Sequence, residues 1–157
     1  MNHPIQKSFL VFLLSLFLYS CVFKKKTVES NAAVKATLME MDRAFSKMSE
    51  ISGMKTAFMQ YIDSNGVLLR PGTLPLIGGN AIDYISQGND SSYIMTWDPN
   101  GVNVAESGEL GYTYGVYSVK PSGTDTILHG TYVTIWKKQP DGKWKFILDT
   151  GNEGTGE

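Results

Sequence analysis

The hydrophobic period of this chain changes once, close to Gly88, and that change limits the fold more than any other feature. Before it, from Val34 on, apolar residues recur every three or four positions except in the short run Val67–Leu69; after it, they gather in short β-branched and aromatic runs cut by turn sequences. A period of 3.6 buries one stripe of a helix and a period of two buries one face of a strand, so the two halves cannot exchange roles. Val34, Leu38, Met41, Phe45 and Met48 predict a helix of about five turns starting near Ser30, with Glu40, Asp42, Arg43 and Lys47 on its wet side. Ser52-Gly53 breaks it, and Ser52 is placed to cap a second, short helix carrying Met54, Ala57, Phe58 and Tyr61.

Asp63-Ser64-Asn65-Gly66 has turn chemistry, Val67–Arg70 reads as a strand stopped by Pro71-Gly72, and Asn80 can cap a third helix carrying Ala81, Ile82, Tyr84 and Ile85. Beyond Gly88 the predicted strands are Tyr93–Trp97, Val102–Ala105, Tyr112–Lys120, Thr126–Lys138 and Trp144–Asp149. Asp98-Pro99-Asn100-Gly101 and Pro140-Asp141-Gly142 are among the turns between them. Three helices followed by an antiparallel meander make an α+β domain. In a chain of 157 residues one hydrophobic core suffices, and the domain is expected over 31–152 with a tail at 153–157.

The N-terminus has a separate logic. Lys7 precedes Phe9–Leu18, an apolar run of ten residues, which suits a secretion signal and falls short of the ~20 needed to span a bilayer. Leu18-Tyr19-Ser20-Cys21 then resembles a lipobox, so residues 1–20 are read as a signal and Cys21 as the acylated first residue of a lipoprotein. Ordinary cleaved secretion and an uncleaved anchor are the competing readings. Acyl chains contribute ~0.8 kcal/mol per buried CH₂, so a multiply acylated cysteine holds a small domain on a membrane without a spanning helix. Residues 21–30 form the tether; Lys24-Lys25-Lys26 is either a solvated spacer or a contact with anionic headgroups. The expected location is the cell envelope, on the outer membrane facing the periplasm in a Gram-negative host.

Removing the signal takes away only Lys7 and leaves 13 basic against 15 acidic residues, a balance that gives no footprint for nucleic acid. Cys21 is the only cysteine, and outside the signal the chain holds only His129, so neither a disulfide nor a His/Cys metal site is expected, nor any cofactor. The Gln139–Lys143 turn sets a register for the last hairpin: counting outward puts Asp149 opposite Val133 and His129 ~13 Å further along its strand, which argues against a His129–Asp149 dyad.

Several runs resemble a known family. Met41-Asp42-Arg43-Ala44-Phe45, Gly53–Phe58, Gly66–Gly72, Ser107–Tyr117 and above all Gly130–Asn152, with its Trp136, PDGKW turn and LDTGN end, are similar to the SnoaL-like branch of the nuclear transport factor 2-like superfamily. The resemblance covers nearly all of 38–152 and implies a cystatin-like cone, three N-terminal helices packed on a curved antiparallel sheet, with a pocket at its open end. Members include isomerases, dehydratases, polyketide cyclases, transport factors and oligomerisation domains, so the fold does not choose a function. The isomerase branch uses an aspartate base before a proline, a tyrosine and a protonated aspartate. Rough matching puts Arg70, Phe45 and Thr134 at those positions, which removes that chemistry, and the histidines of the dehydratase branch have no counterpart beyond His129. No catalytic constellation is assigned.

The resemblance makes Arg70 the first pocket candidate: it can hold a carboxylate or phosphate, or pair with an internal acid such as Asp149. Asp149 lines a pocket or caps the turn at Asp149-Thr150-Gly151-Asn152. Trp97, Tyr112, Tyr114, Tyr132 and Trp136 offer apolar walls with polar tips, against the plainer role of core packing. Strand alternation separates Tyr132, Thr134 and Trp136 from Thr131, Val133 and Ile135, so one set alone faces the cone. The expected function is a membrane-anchored cone domain binding a small, partly apolar ligand. A small isomerase-, dehydratase- or cyclase-type enzyme and a dimerising accessory protein of the envelope are the alternatives, with a second copy of the chain as the expected partner.

Overall fold

The computed structural model describes residues 30–154; the signal, Cys21 and the rest of the tether before Ser30 lie outside them. Helix α1 (Asn31–Ser52) starts where the Ser30 hydroxyl accepts a hydrogen bond from Ala33 N at 3.3 Å, satisfying one of the free N–H groups of the first turn. It stops at Gly53, whose φ of 88° suits a residue without Cβ. Its buried stripe runs Val34, Leu38, Asp42, Phe45, Ser49, rotated from the expected one; Met41 and Met48 are half-buried. Asp42, expected on the wet side, is fully buried at 0 % exposure.

Helix α2 (Met54–Tyr61) follows with Gly53 as its N-cap and no cap from its own side chains. Ser52 does not cap it. Asp90, in the 3₁₀ turn Asp90–Ser92, does so from a distance, its carboxylate accepting from Lys55 N at 3.0 and 3.1 Å. Helix α3 (Gly79–Ser86) is preceded by Gly78 rather than capped by Asn80.

The strands are β1 (Ile62–Leu69), β2 (Leu76–Ile77), β3 (Tyr93–Val104), β4 (Leu110–Pro121), β5 (Leu128–Lys138) and β6 (Trp144–Glu153), in sheet order β2-β1-β6-β5-β4-β3. The β3–β6 portion is the expected antiparallel meander, but β1 lies parallel to β6, so the sheet is mixed. Two expected turns turn out to be irregularities within strands. Asp98-Pro99-Asn100-Gly101 is a bulge that leaves β3 continuous, and Asp63–Gly66 sits in β1 where its register against β6 shifts between Ile62 and Val67. A third bulge lies in β6: Trp136 faces Phe146 but Ile135 faces Leu148, which leaves Ile147 as the extra residue. Bulges bend a strand and increase its twist, and here they curve the sheet round α1.

Phe45 is the hub of the core, with the rings of Phe58, Tyr61, Trp97, Trp136 and Phe146 centred 4.6–6.0 Å away. The helix runs against β3 with its start near the β3–β4 hairpin. There a Cβ on Gly111 would lie 2.6 Å from Leu38 Cδ1, so glycine is what admits the helix. At the far end the Ser49 hydroxyl donates to Met95 O at 2.7 Å.

Candidate functional site

Strand parity decides which side chains enter the cone. On β4, Gly111, Thr113 and Gly115 are buried while Tyr112 and Tyr114 are 42 % and 49 % exposed, so both tyrosines face outward, away from any interior pocket. On β5, Tyr132, Thr134 and Trp136 point inward as one set. Trp136, opposite Gly111 near the β3–β4 hairpin, is fully buried, with its Nε1–H donated to Thr113 Oγ1 at 2.8 Å; it belongs to the packed core. On β6 the extra residue at Ile147 reverses the alternation after Phe146, and this turns Asp149 inward. It faces Thr134 rather than the expected Val133. His129 pairs with Ser118 at 3.0 Å and has no contact with Asp149.

A cavity of about 230 Å³ occupies the end of the cone away from the β3–β4 hairpin. Arg70, Trp97, Tyr132 and Asp149, four of the candidates, line it together with Thr134. Phe58, Met95, Tyr117 and Val119 belong to its apolar wall, and Tyr93 and Glu153 also line it. Phe45, matched by the resemblance to a catalytic tyrosine, is core rather than wall.

Two buried carboxylates organise the polar part. Asp149 accepts from Arg70 Nη2 at 2.6 Å and from the Thr134 hydroxyl at 2.8 Å, while Arg70 Nη1 donates to the carbonyls of Leu69 and Asp149, both at 3.1 Å. The guanidinium lies over the Phe58 ring, 5.7 Å from its centre. Arg70 and Asp149 side chains are 17 % and 9 % exposed, so the pair is shielded from water and from salt. Asp42 sits deeper, on α1, and accepts from Trp97 Nε1 and from the Tyr132 hydroxyl, each at 2.8 Å, with Thr113 as a further hydrogen-bond partner.

Burial pushes the Asp42 carboxyl above its ordinary range; the hydrogen bonds from Tyr132, Thr113 and Trp97 pull it down, and the charge of Asp149 adds to the rise. Tyr132 is driven far upward, first by burial and then by the charge of Asp42 and the hydrogen bond it gives to it, so its hydroxyl keeps its proton. Tyr93 and Tyr117 are raised as well, chiefly by burial. Among the described residues no three His, Cys, Asp or Glu side chains converge as metal ligands do.

No protein-family model matches this chain, and no curated protein matches it by sequence. Solved structures do. A nuclear transport factor 2-like protein with a cystatin-like fold from Novosphingobium aromaticivorans superposes with a TM-score of 0.62 at 12 % identity, over 100 % of this chain and 94 % of the other. The fold is that of the nuclear transport factor 2-like proteins. A ketosteroid isomerase-like protein from Erwinia carotovora atroseptica gives 0.61 at 14 % identity, covering 76 % of this chain and 95 % of that one. A nuclear transport factor 2-like superfamily protein from Salmonella enterica gives 0.61 at 14 %, covering 82 % and 99 %. At such identities the likeness establishes the cone and leaves its contents to the residues themselves.

Reading for apolar periodicity missed Asp42, because the count skips a polar residue inside a buried stripe. The signal was nonetheless present, since Asp42 follows Leu38 by four and precedes Phe45 by three, on the same helical face.

Proposed function

We propose that this domain binds a small, mostly apolar molecule in the open end of its cone. The observation that carries the reading is the cavity of about 230 Å³ between aromatic walls and a set of hydrogen-bonded polar groups. Apolar walls with a few fixed polar groups are the common make-up of small-molecule sites, and the volume falls below the ~300–1,000 Å³ of pockets for drug-sized ligands. The ligand is therefore compact, of about ten non-hydrogen atoms, or inserts one end of a larger body. With Arg70 neutralised by Asp149, and Glu153 also on the lining, the site has no surplus positive charge to favour an anion. Mass spectrometry of the full chain extracted under native conditions from its own cells tests this: a co-purifying small molecule is expected, and it is lost from Val119→Trp, which fills the cavity. Recovery of the same molecule at the same yield from the filled variant contradicts the reading.

The chain works from a membrane, held by acylated Cys21, in our reading of its N-terminal sequence. Among the described residues no helix is long and apolar enough to cross a bilayer. Cys21→Ser is expected to abolish radiolabelled-lipid incorporation and release the domain from membranes; unchanged attachment refutes it. The exposed outer row Leu110, Tyr112, Tyr114 and Val116 supports pairing with a second copy of the chain across the sheet.

A further inference from the structure

The hydrogen bonds at the polar end of the cavity run in one direction. Tyr132 gives its single hydroxyl hydrogen to Asp42, and Thr134 gives its own to Asp149. Trp97 gives its indole N–H to Asp42. Each of these wall residues thus directs its donor at a carboxylate behind or beside it. A phenol or alcohol oxygen that has given away its hydrogen still carries lone pairs, and a carboxylate oxygen holding one hydrogen bond can accept another. Arg70 directs three of its five N–H groups to Asp149 and Leu69, and its charge is already matched by the carboxylate it touches. What remains open to the cavity from Tyr132, Thr134 and Asp149 is accepting capacity.

We infer that the corner of the site formed by Tyr132, Thr134 and Asp149 selects ligands that bring a hydrogen-bond donor on an apolar body, such as an alcohol, an amine or an amide N–H, over ketones and carboxylates of the same size. This rests on the small-ligand reading and narrows its chemistry. A buried carbonyl oxygen placed against Tyr132, Thr134 and Asp149 meets lone pairs, loses its hydration and gains no partner from these three. A hydroxyl or ammonium group there donates to one or two of the waiting oxygens. The negative lining charges of Asp149 and Glu153 outnumber the single positive charge of Arg70, which adds to the preference for a cation over an anion. The polarity is the reverse of an oxyanion hole, where donors converge on an oxygen that gains negative charge.

The inference is read by calorimetric titration of the full chain in lipid nanodiscs, against a blank of empty nanodiscs, with four probes on one ring: benzyl alcohol, benzylammonium, acetophenone and benzoate. Benzyl alcohol and benzylammonium are expected to bind at least roughly tenfold more tightly than acetophenone and benzoate, the effect of about one buried hydrogen bond that is not made. In the double variant Arg70→Met/Asp149→Asn, which replaces the ion pair by an amide donor of similar size, the preference over acetophenone shrinks or inverts. Equal affinity for all four probes, or tighter binding of acetophenone or benzoate, overturns the donor preference while leaving a ligand site in place. Absence of binding by every probe overturns the small-ligand reading itself, and the preference with it. The wild-type panel decides without the double variant if that protein does not fold.

Discussion

At the scale of single residues the molecule depends on two inward carboxylates, each held by donors from elements distant in sequence. The Arg70–Asp149 bridge was visible beforehand as one of two roles for Arg70, because an arginine beside a proline at the end of one strand and an aspartate near the end of another are compatible with a pair. Breaking it from one side leaves a shielded guanidinium without its partner. Asp149→Ala is expected to cost about 3 kcal/mol in urea unfolding, whereas Arg70→Met/Asp149→Leu, which removes both charges, returns to within ~1 kcal/mol of the parent. Equal losses in the two variants contradict this. Asp42 acts through pH. Its pKa is raised above 3.8 in the folded state, chiefly by burial, so between the two values the native protein binds more protons than the unfolded chain. Its contribution is therefore greatest at low pH and declines as pH rises through the folded value, with a slope of at most ~1.4 kcal/mol per pH unit for one proton. The stability difference between the parent and Asp42→Asn is expected to fall with rising pH across that window; a difference that grows with pH contradicts the assignment.

At the scale of elements, residue chemistry predicted what kind of backbone would form better than where it would be used. The strands were legible because their β-branched and aromatic runs are long, and α1 because its apolar stripe recurs over about four turns of a 22-residue helix. Asp63–Gly66 and Asp98–Gly101 carry turn-forming residues, yet the neighbouring strands continue to pair with them and convert each into an irregularity within a strand. Local preference could not reveal this, since it depends on partners far along the chain. The same holds for Ile147: nothing in Phe146-Ile147-Leu148-Asp149 marks a bulge, and so the count from the Gln139–Lys143 turn was one residue off at Asp149. That single step separates an inward carboxylate from an outward one. The cap of α2 is another long-range feature, supplied by Asp90 across 35 residues to Lys55 N. Asp90→Ala is expected to lower stability by about 1 kcal/mol, the usual worth of an N-cap, read as a shift in urea midpoint at constant slope. An unchanged midpoint shows that water serves the helix end as well.

At the scale of the whole molecule the cone has two unlike ends. The first turns of α1 lie beside Gly111 and Val104 near the β3–β4 hairpin, and the cavity opens toward Met54, Tyr93 and Pro71 at the other. The proposed pairing of two copies through the outer row of β4 is read by light scattering: twice the monomer mass is expected, and Tyr114→Glu, on a side chain already 49 % exposed, is expected to return it to the monomer without loss of fold. A monomeric parent protein contradicts that. Tryptophan placement makes the cavity directly accessible to measurement, because Trp97 lines its wall whereas Trp136 and Trp144 do not. Titrating the ¹⁵N-labelled full chain in nanodiscs with benzyl alcohol should move the Trp97 indole N–H resonance along a saturable curve and leave that of Trp144 in place. A shift that never saturates, or one that follows Trp144 instead of Trp97, contradicts the account.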